Sequence, residues 1–154
     1  MAPLPPDEPL DATVRRLWEV GDRHGRPPEP TPEVDPWEEG DPYPEPSAGA
    51  AVVVFAGSPS ITVRLALDGP DVVLVEDVLD FEVPRADTVA FVDAVLDGRA
   101  RLATSGRRVT RRLRRVLAGA GATVHVTVAP GRSYSAVVPT FAWSSWLGSL
   151  PVDP

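Results

Sequence analysis

Between positions 26 and 46 the chain carries 8 prolines and 7 acidic residues, and its only large apolar side chains there are Val34, Trp37 and Tyr43. Such a stretch buries too little surface to offset the entropy of ordering it, and each proline removes a backbone donor. It is therefore expected to be extended and polyproline-like, outside any core. This divides the 154 residues into an N-terminal amphipathic helix at 1–25, an acidic Pro-rich linker at 26–49 and a domain at 50–154 that begins after Ser47 to Ala50. About 100 residues suffice for one self-sufficient core. No internal repeat is visible.

Ahead of the linker, Leu10, Val14, Leu17 and Trp18 fall on one face of a helix of about four turns. Asp7 or Asp11 could cap it, and Gly21 or Gly25 could end it. A helix this short is marginal in water, so it must dock on the domain or on a partner, or fray.

Beyond the linker the pattern turns to strands. Positions 51–55 are an apolar, β-branched run, and Ile61, Val63, Leu65 and Leu67 alternate with smaller or polar residues. A turn at 68–71 leads into the run at 72–75, completing an expected three-strand meander. Pro84 then opens a helix through Asp97, with Val89, Val92, Val95 and Leu96 inward, Phe91 to one side and Gly98 as the stop. An edge strand at 99–103, a helix at about 107–118 and alternating strands at 122–128 and 133–138 follow. A terminal helix carrying Trp143, Trp146, Leu147 and Leu150, capped by Thr140, ends the pattern. The order βββ-α-β-α-ββ-α predicts an α+β fold, an antiparallel sheet with helices packed on one face.

All 15 basic residues are arginine; lysine, asparagine and glutamine are absent and Ile61 is the one isoleucine. A GC-rich, bacterial genome accounts for that bias. Without cysteine there is no disulfide, thiolate metal site or cysteine nucleophile. With His24 and His125 as the only histidines, no metal site and no cofactor are expected. No apolar run reaches the roughly 20 residues of a membrane span, and the first residues lack the form of a signal peptide. A cytoplasmic protein with no membrane partner is the expectation.

The net charge of -7 is an average over opposed parts. Residues 1–50 hold 12 acids and 4 arginines, residues 51–97 hold 9 acids and 2 arginines, and residues 98–154 hold 9 arginines and one acid, Asp153. On a helix at 107–118, Arg107, Arg108, Arg111, Arg112, Arg114 and Arg115 would share one face, opposite Val109, Leu113, Val116 and Leu117. Read functionally, this is an anion-binding surface for phosphates, nucleic acid or an acidic partner; read plainly, it is a solvated helix face. The linker acids could fold back and screen it, or simply keep the chain solvated.

Leu17, Trp18, Trp37, Tyr43, Trp143 and Trp146 are the candidate partner-binding residues, because apolar and aromatic anchors dominate interface energetics. Some of them could equally pack on their own domain. Evidence for catalysis is thin. His125 stands mid-strand beside Thr123 and Thr127, and Glu76, Asp77, Asp80 and Glu82 cluster near the end of the third strand. Such acids could serve a metal or general acid–base chemistry only in a common pocket with a partner. No nucleophile-elbow, metalloprotease, phosphate-loop or dinucleotide fingerprint is present.

In overall form, the chain resembles small immunity and adaptor proteins of bacteria, in architecture and charge rather than in any motif. The leading expectation is a non-enzymatic protein-binding module, an immunity, inhibitor or adaptor protein whose acidic segment favours a basic partner. The second is a binder of nucleic acid or phosphate ligands through Arg107 to Arg115, gated by the linker. The third is an enzyme using His125.

Overall fold

Alternating apolar positions and tight turns carry the chain from Ala51 to Val83 through four consecutive antiparallel strands. The computed structural model describes residues 8–29, 51–104, 122–139 and 144–152. In chain order its elements are α1 (Glu8–Arg23), β1 (Ala51–Phe55), β2 (Ile61–Leu65), β3 (Asp71–Val75) and β4 (Leu79–Val83), then α2 (Arg85–Leu96), β5 (Ala100–Thr104), β6 (Ala122–Ala129), β7 (Arg132–Val137) and α3 (Ser145–Ser149). They form a mixed α+β fold with two antiparallel sheets, ordered β1-β2-β3-β4 and β5-β6-β7.

Two features differ from the sequence reading. The meander has four strands instead of three, and β5 to β7 make a separate sheet instead of extending the first. The fourth strand exists because Glu76 and Asp77 turn the chain sharply. Both take positive φ, 56° and 58°, and Val78 N–H donates to the Val75 carbonyl at 3.3 Å. That is hairpin-turn geometry built without the usual Asn-Gly. After it, Leu79, Phe81 and Val83 point inward while Asp80 and Glu82 point out.

Helix α2 packs against both sheets, whose strands β4 and β7 themselves lie in contact. It packs on β3 and β4 of one and on β6 of the other. It therefore buries residues almost all round, including Val89, Phe91, Val92, Ala94 and Val95. Phe91, expected to sit off the apolar stripe, is fully buried, with its ring 4.8 Å from Phe81 and edge-on to Tyr134 at 6.0 Å. Phe91 thus meets strands of both sheets, β4 through Phe81 and β7 through Tyr134.

The first turn of α2 is tied to both sheets. Asp71, read as a turn residue from the sequence, is fully buried. Its carboxylate accepts hydrogen bonds from Ala66 N–H (2.9 Å), Arg85 Nε (2.7 Å), Arg85 Nη2 (2.8 Å) and Thr88 Oγ1 (2.7 Å). The adjacent Asp87 accepts from the Tyr134 hydroxyl and pairs with Arg132 at 3.0 Å, both on β7. The hydrogen bond to Asp87 and burial both raise the Tyr134 hydroxyl above its ordinary pKa, so it keeps its proton as the donor.

Helix α1 packs on α2 and β1. Thr13, Leu17 and Val20 are buried, Val14 is partly buried and Trp18 is 36% exposed at the rim. The docked face is thus rotated from the predicted stripe, because Gly21 lets the helix backbone come close to Phe55. A β-carbon there would stand 2.6 Å from the Arg26 carbonyl oxygen, 2.8 Å from Pro28 Cδ and 3.0 Å from Phe55 Cε1. The helix ends at Gly25 (φ 68°), with Arg26 N–H donating to the Gly21 carbonyl at 2.8 Å. The chain then runs against the first sheet. Arg26 Nη2 donates to the Ala56 and Pro59 carbonyls, each at 2.6 Å, and Glu29 N–H donates to the Val54 carbonyl at 2.7 Å. Burial lowers the Arg26 pKa, although the Glu76 carboxylate opposes it.

At its C-terminal end, α1 is clasped to α2 by Asp93. His24 Nε2 lies 2.7 Å and Arg23 Nη2 2.8 Å from Asp93 Oδ1, and Arg99 Nη2 lies 3.3 Å from Oδ2. Near the C-terminus, Ser144 caps α3 by accepting from Leu147 N–H at 3.2 Å, and Leu147 is fully buried. Thr140, the expected cap, lies outside the described residues. Leu102 N–H donates to the Pro151 carbonyl at 2.8 Å, and Val152 bridges to Leu102 in parallel, so the edge strand β5 is partly covered.

Two outcomes test this packing. Alanine in place of helical glycine ordinarily gains up to about 1 kcal/mol. Here Gly21→Ala should instead lower stability by about 1–3 kcal/mol, through overpacking against backbone. Urea unfolding reads the sign directly, and a raised midpoint would refute the close approach. The second concerns pH. Burial pushes the Asp93 carboxyl up, but the hydrogen bonds and charges of His24 and Arg23 outweigh it and hold the value below the ordinary one. Its contribution is therefore complete above the unfolded carboxyl value of about 3.9 and is lost as pH falls through the folded value. The wild type should be more stable than Asp93→Asn at neutral pH, with the gap closing below about pH 4. A gap independent of pH in denaturant titrations would contradict this assignment.

Candidate interaction surface

With α1 and α2 packed on the inner side of the first sheet, its other face is left uncovered by any described element. Antiparallel register sets the side chains of that face in rows. One row runs Val52, Arg64, Val72, Glu82 across the four strands, and the next runs Val54, Thr62, Leu74, Asp80. Both begin on an apolar residue of β1, cross a polar residue of β2 (the exposed Arg64 in the first row, Thr62 in the second) and an apolar residue of β3, and end on an acid of β4. Val52 is 45% exposed, and Val54, Val72 and Leu74 are half-buried against their neighbours. Just past β2, Leu67 adds a side chain that is 50% exposed. The sequence had placed Leu67 on the buried face, but the strand ends at Leu65.

The four acids expected to form one cluster separate. Asp80 and Glu82 close the two rows. Glu76 instead faces the β1–β2 loop, where its Oε1 accepts from Ser60 N–H at 3.2 Å and its own N–H donates to the Ser60 carbonyl at 2.9 Å. Asp77 is an exposed turn residue. His125 lies on the other sheet, in register with Arg101 on β5 and Ser135 on β7. Among the described residues no hydrogen bond or ion pair joins His125 to any of these acids, and no group of three or more His, Asp and Glu side chains is placed to hold a metal ion.

Of the candidate anchors, Leu17 is fully buried in this chain's own core, so in this fold it is not a surface contact. Its side chain meets the α2 and β1 layer in place of a partner's groove. Trp18 remains at the rim, and Trp146 is half-buried beside Leu147. Trp37, Tyr43 and Trp143 lie outside the described residues, as do Arg107, Arg108, Arg111, Arg112, Arg114 and Arg115. No described helix is long and apolar enough to cross a membrane.

The residues of the uncovered face were not singled out by the sequence. Runs such as Val72 to Val75 read as core on both faces, and periodicity alone does not tell an open face from a covered one. Compared with known protein families, curated proteins and solved structures, the chain matches none.

The turn at Glu76 and Asp77 offers a check on the separation of the acids. A non-glycine residue in the left-handed region is strained by about 1–2 kcal/mol, part of which glycine forfeits through its greater freedom when unfolded. Asp77→Gly should therefore leave the fold intact and raise stability by less than about 1 kcal/mol. A marked drop in melting temperature would show that the Asp77 carboxylate carries a structural or ligand contact.

Proposed function

We propose that the chain is a non-enzymatic protein-binding module, and that the uncovered face of the first sheet receives a basic partner protein. One observation carries the reading: two register rows set apolar side chains on β1 and β3, polar ones on β2 and an acid at their β4 end. Apolar area excludes water and supplies affinity, while acids at a rim steer an oppositely charged partner and suppress wrong ones. The stretch that follows Glu29 carries six further acids and no arginine. A small bacterial immunity, inhibitor or adaptor protein of the cytoplasm is the concrete form this takes.

The test begins with the full chain as bait in its native host, followed by identification of co-purifying proteins. The decisive step compares the wild type with Val72→Ser/Leu74→Ser and with Asp80→Ser/Glu82→Ser. The first pair should weaken capture of a specific partner at least tenfold. The second should slow association and make it less sensitive to salt. Undiminished capture by both variants, with folding verified by circular dichroism, would rule this face out.

A further inference from the structure

Arg64 is the one cation in the two rows of the uncovered face, and a basic partner offers it no counter-charge. It stands on β2, with Val72 of β3 between it and Glu82 of β4. Arg64, Glu82 and Asp80 are exposed, and among the described residues none of the three enters an ion pair. The neighbouring row repeats the order without a full positive charge. Thr62 of β2 offers a hydroxyl, Leu74 of β3 is apolar, and Asp80 of β4 is an acceptor. From β2 to β4, each row therefore reads donor, apolar residue, carboxylate, with β3 in the middle.

We propose that a second copy of the chain docks on this face, about a two-fold axis that runs along β3. Such an axis reverses the order of the strands and keeps the level along them. It lays β2 of one copy over β4 of the other, and β3 over β3. Val72 and Leu74 then each meet their own counterparts, Arg64 of each copy faces Glu82 of the other, and Thr62 of each faces Asp80 of the other. A patch complementary to itself is what an isologous dimer requires. Other axes fit worse. One running across the strands exchanges the rows and opposes Glu82 to Asp80. One along β2 opposes Arg64 to itself, and one between β2 and β3 sets Arg64 on Val72 and Glu82 on Val52, charge against apolar surface. Sheets packed face to face lie about 10 Å apart with strands within about 30° of each other, a gap that arginine and glutamate side chains span together. Strand β1 falls outside the overlap, so Val52 stays exposed in the dimer. Three short strands make a patch smaller than the roughly 800 Å² per partner of a standard interface, so the dimer is a weak, micromolar one. The inference goes beyond the basic-partner reading. It uses the same face but a different occupant, and it stands or falls with no other protein present.

The experiment is sedimentation equilibrium of the purified full chain, from about 1 µM to about 1 mM, which should show monomer and dimer in exchange. Arg64→Glu and Glu82→Arg should each be monomeric, because each sets like charges together at both facing pairs. Mixed in equal amounts, these two variants should form a heterodimer, since both facing pairs are then opposite in sign. The double variant Arg64→Glu/Glu82→Arg should dimerise with itself for the same reason. Val72→Ser, at the centre of the overlap, should weaken the dimer at least tenfold, whereas Val52→Ser should leave it unchanged. Circular dichroism checks that each variant is folded. A wild type that stays monomeric at about 1 mM would overturn the proposal and leave the basic-partner reading standing. A dimer that survives both single charge variants would overturn it too, as would folded variants that fail to associate on mixing.

Discussion

A single buried carboxylate holds the layers of this protein in order. Asp71 is removed from water, and an ionised carboxylate there is tolerable only if its lone pairs are filled. They are filled by one backbone amide of the β2–β3 hairpin, two guanidinium nitrogens and one hydroxyl, the last three from the first turn of α2. Removing one partner of such a buried pair typically costs about 3–5 kcal/mol, far more than a surface ion pair contributes. The network fixes where α2 begins relative to the first sheet, and hence which of its residues meet Phe81 and the strands around it. One residue earlier in the same turn, Asp87 makes the equivalent tie to Tyr134 and Arg132 of the second sheet. Neighbouring positions on one helical turn thus anchor the helix to two different sheets.

This arrangement determines what is left outside. Helix α2, buried over most of its surface, packs on one face of each sheet, and the opposite faces carry the exposed strand residues. They differ because their strands come from differently charged parts of the chain. The first sheet draws on residues 51–97, where acids outnumber arginines by 9 to 2, and its rows end on Asp80 and Glu82. The second draws on the arginine-rich remainder, and its outer face has no acid at all on its strands. The charge blocks visible in the sequence are thereby converted into two faces of opposite character.

Much of the fold was legible in the sequence. Period-2 alternation marked β2, β6 and β7, and Pro84 and Gly98 bracketed α2. The fourth strand was missed because Glu76 and Asp77 carry none of the usual turn residues, although the alternation of Leu79, Phe81 and Val83 with Asp80 and Glu82 was there to be read. Phe91 was placed to one side of the apolar stripe because helical periodicity assumes a solvent side, and α2 has little of one. Asp71 was invisible as an anchor. Its partners Arg85 and Thr88 lie more than a dozen positions away, and nothing local separates a buried aspartate from an ordinary turn residue. The uncovered face of the first sheet was not legible for a related reason. An open sheet face is a property of what fails to pack on it, and Val52, Val72 and Leu74 carry no sign of that in their spacing.

One consequence follows from the hydrogen bond between Glu29 N–H and the Val54 carbonyl. It fastens the chain to β1 where the proline-rich stretch begins, and that stretch ends where β1 starts, at Ala51. The two fastening points are three residues apart on one strand, about 10 Å. The chain therefore leaves and rejoins the described fold at one edge strand, and Glu29 cannot part from β1 without first breaking its hydrogen bond to Val54.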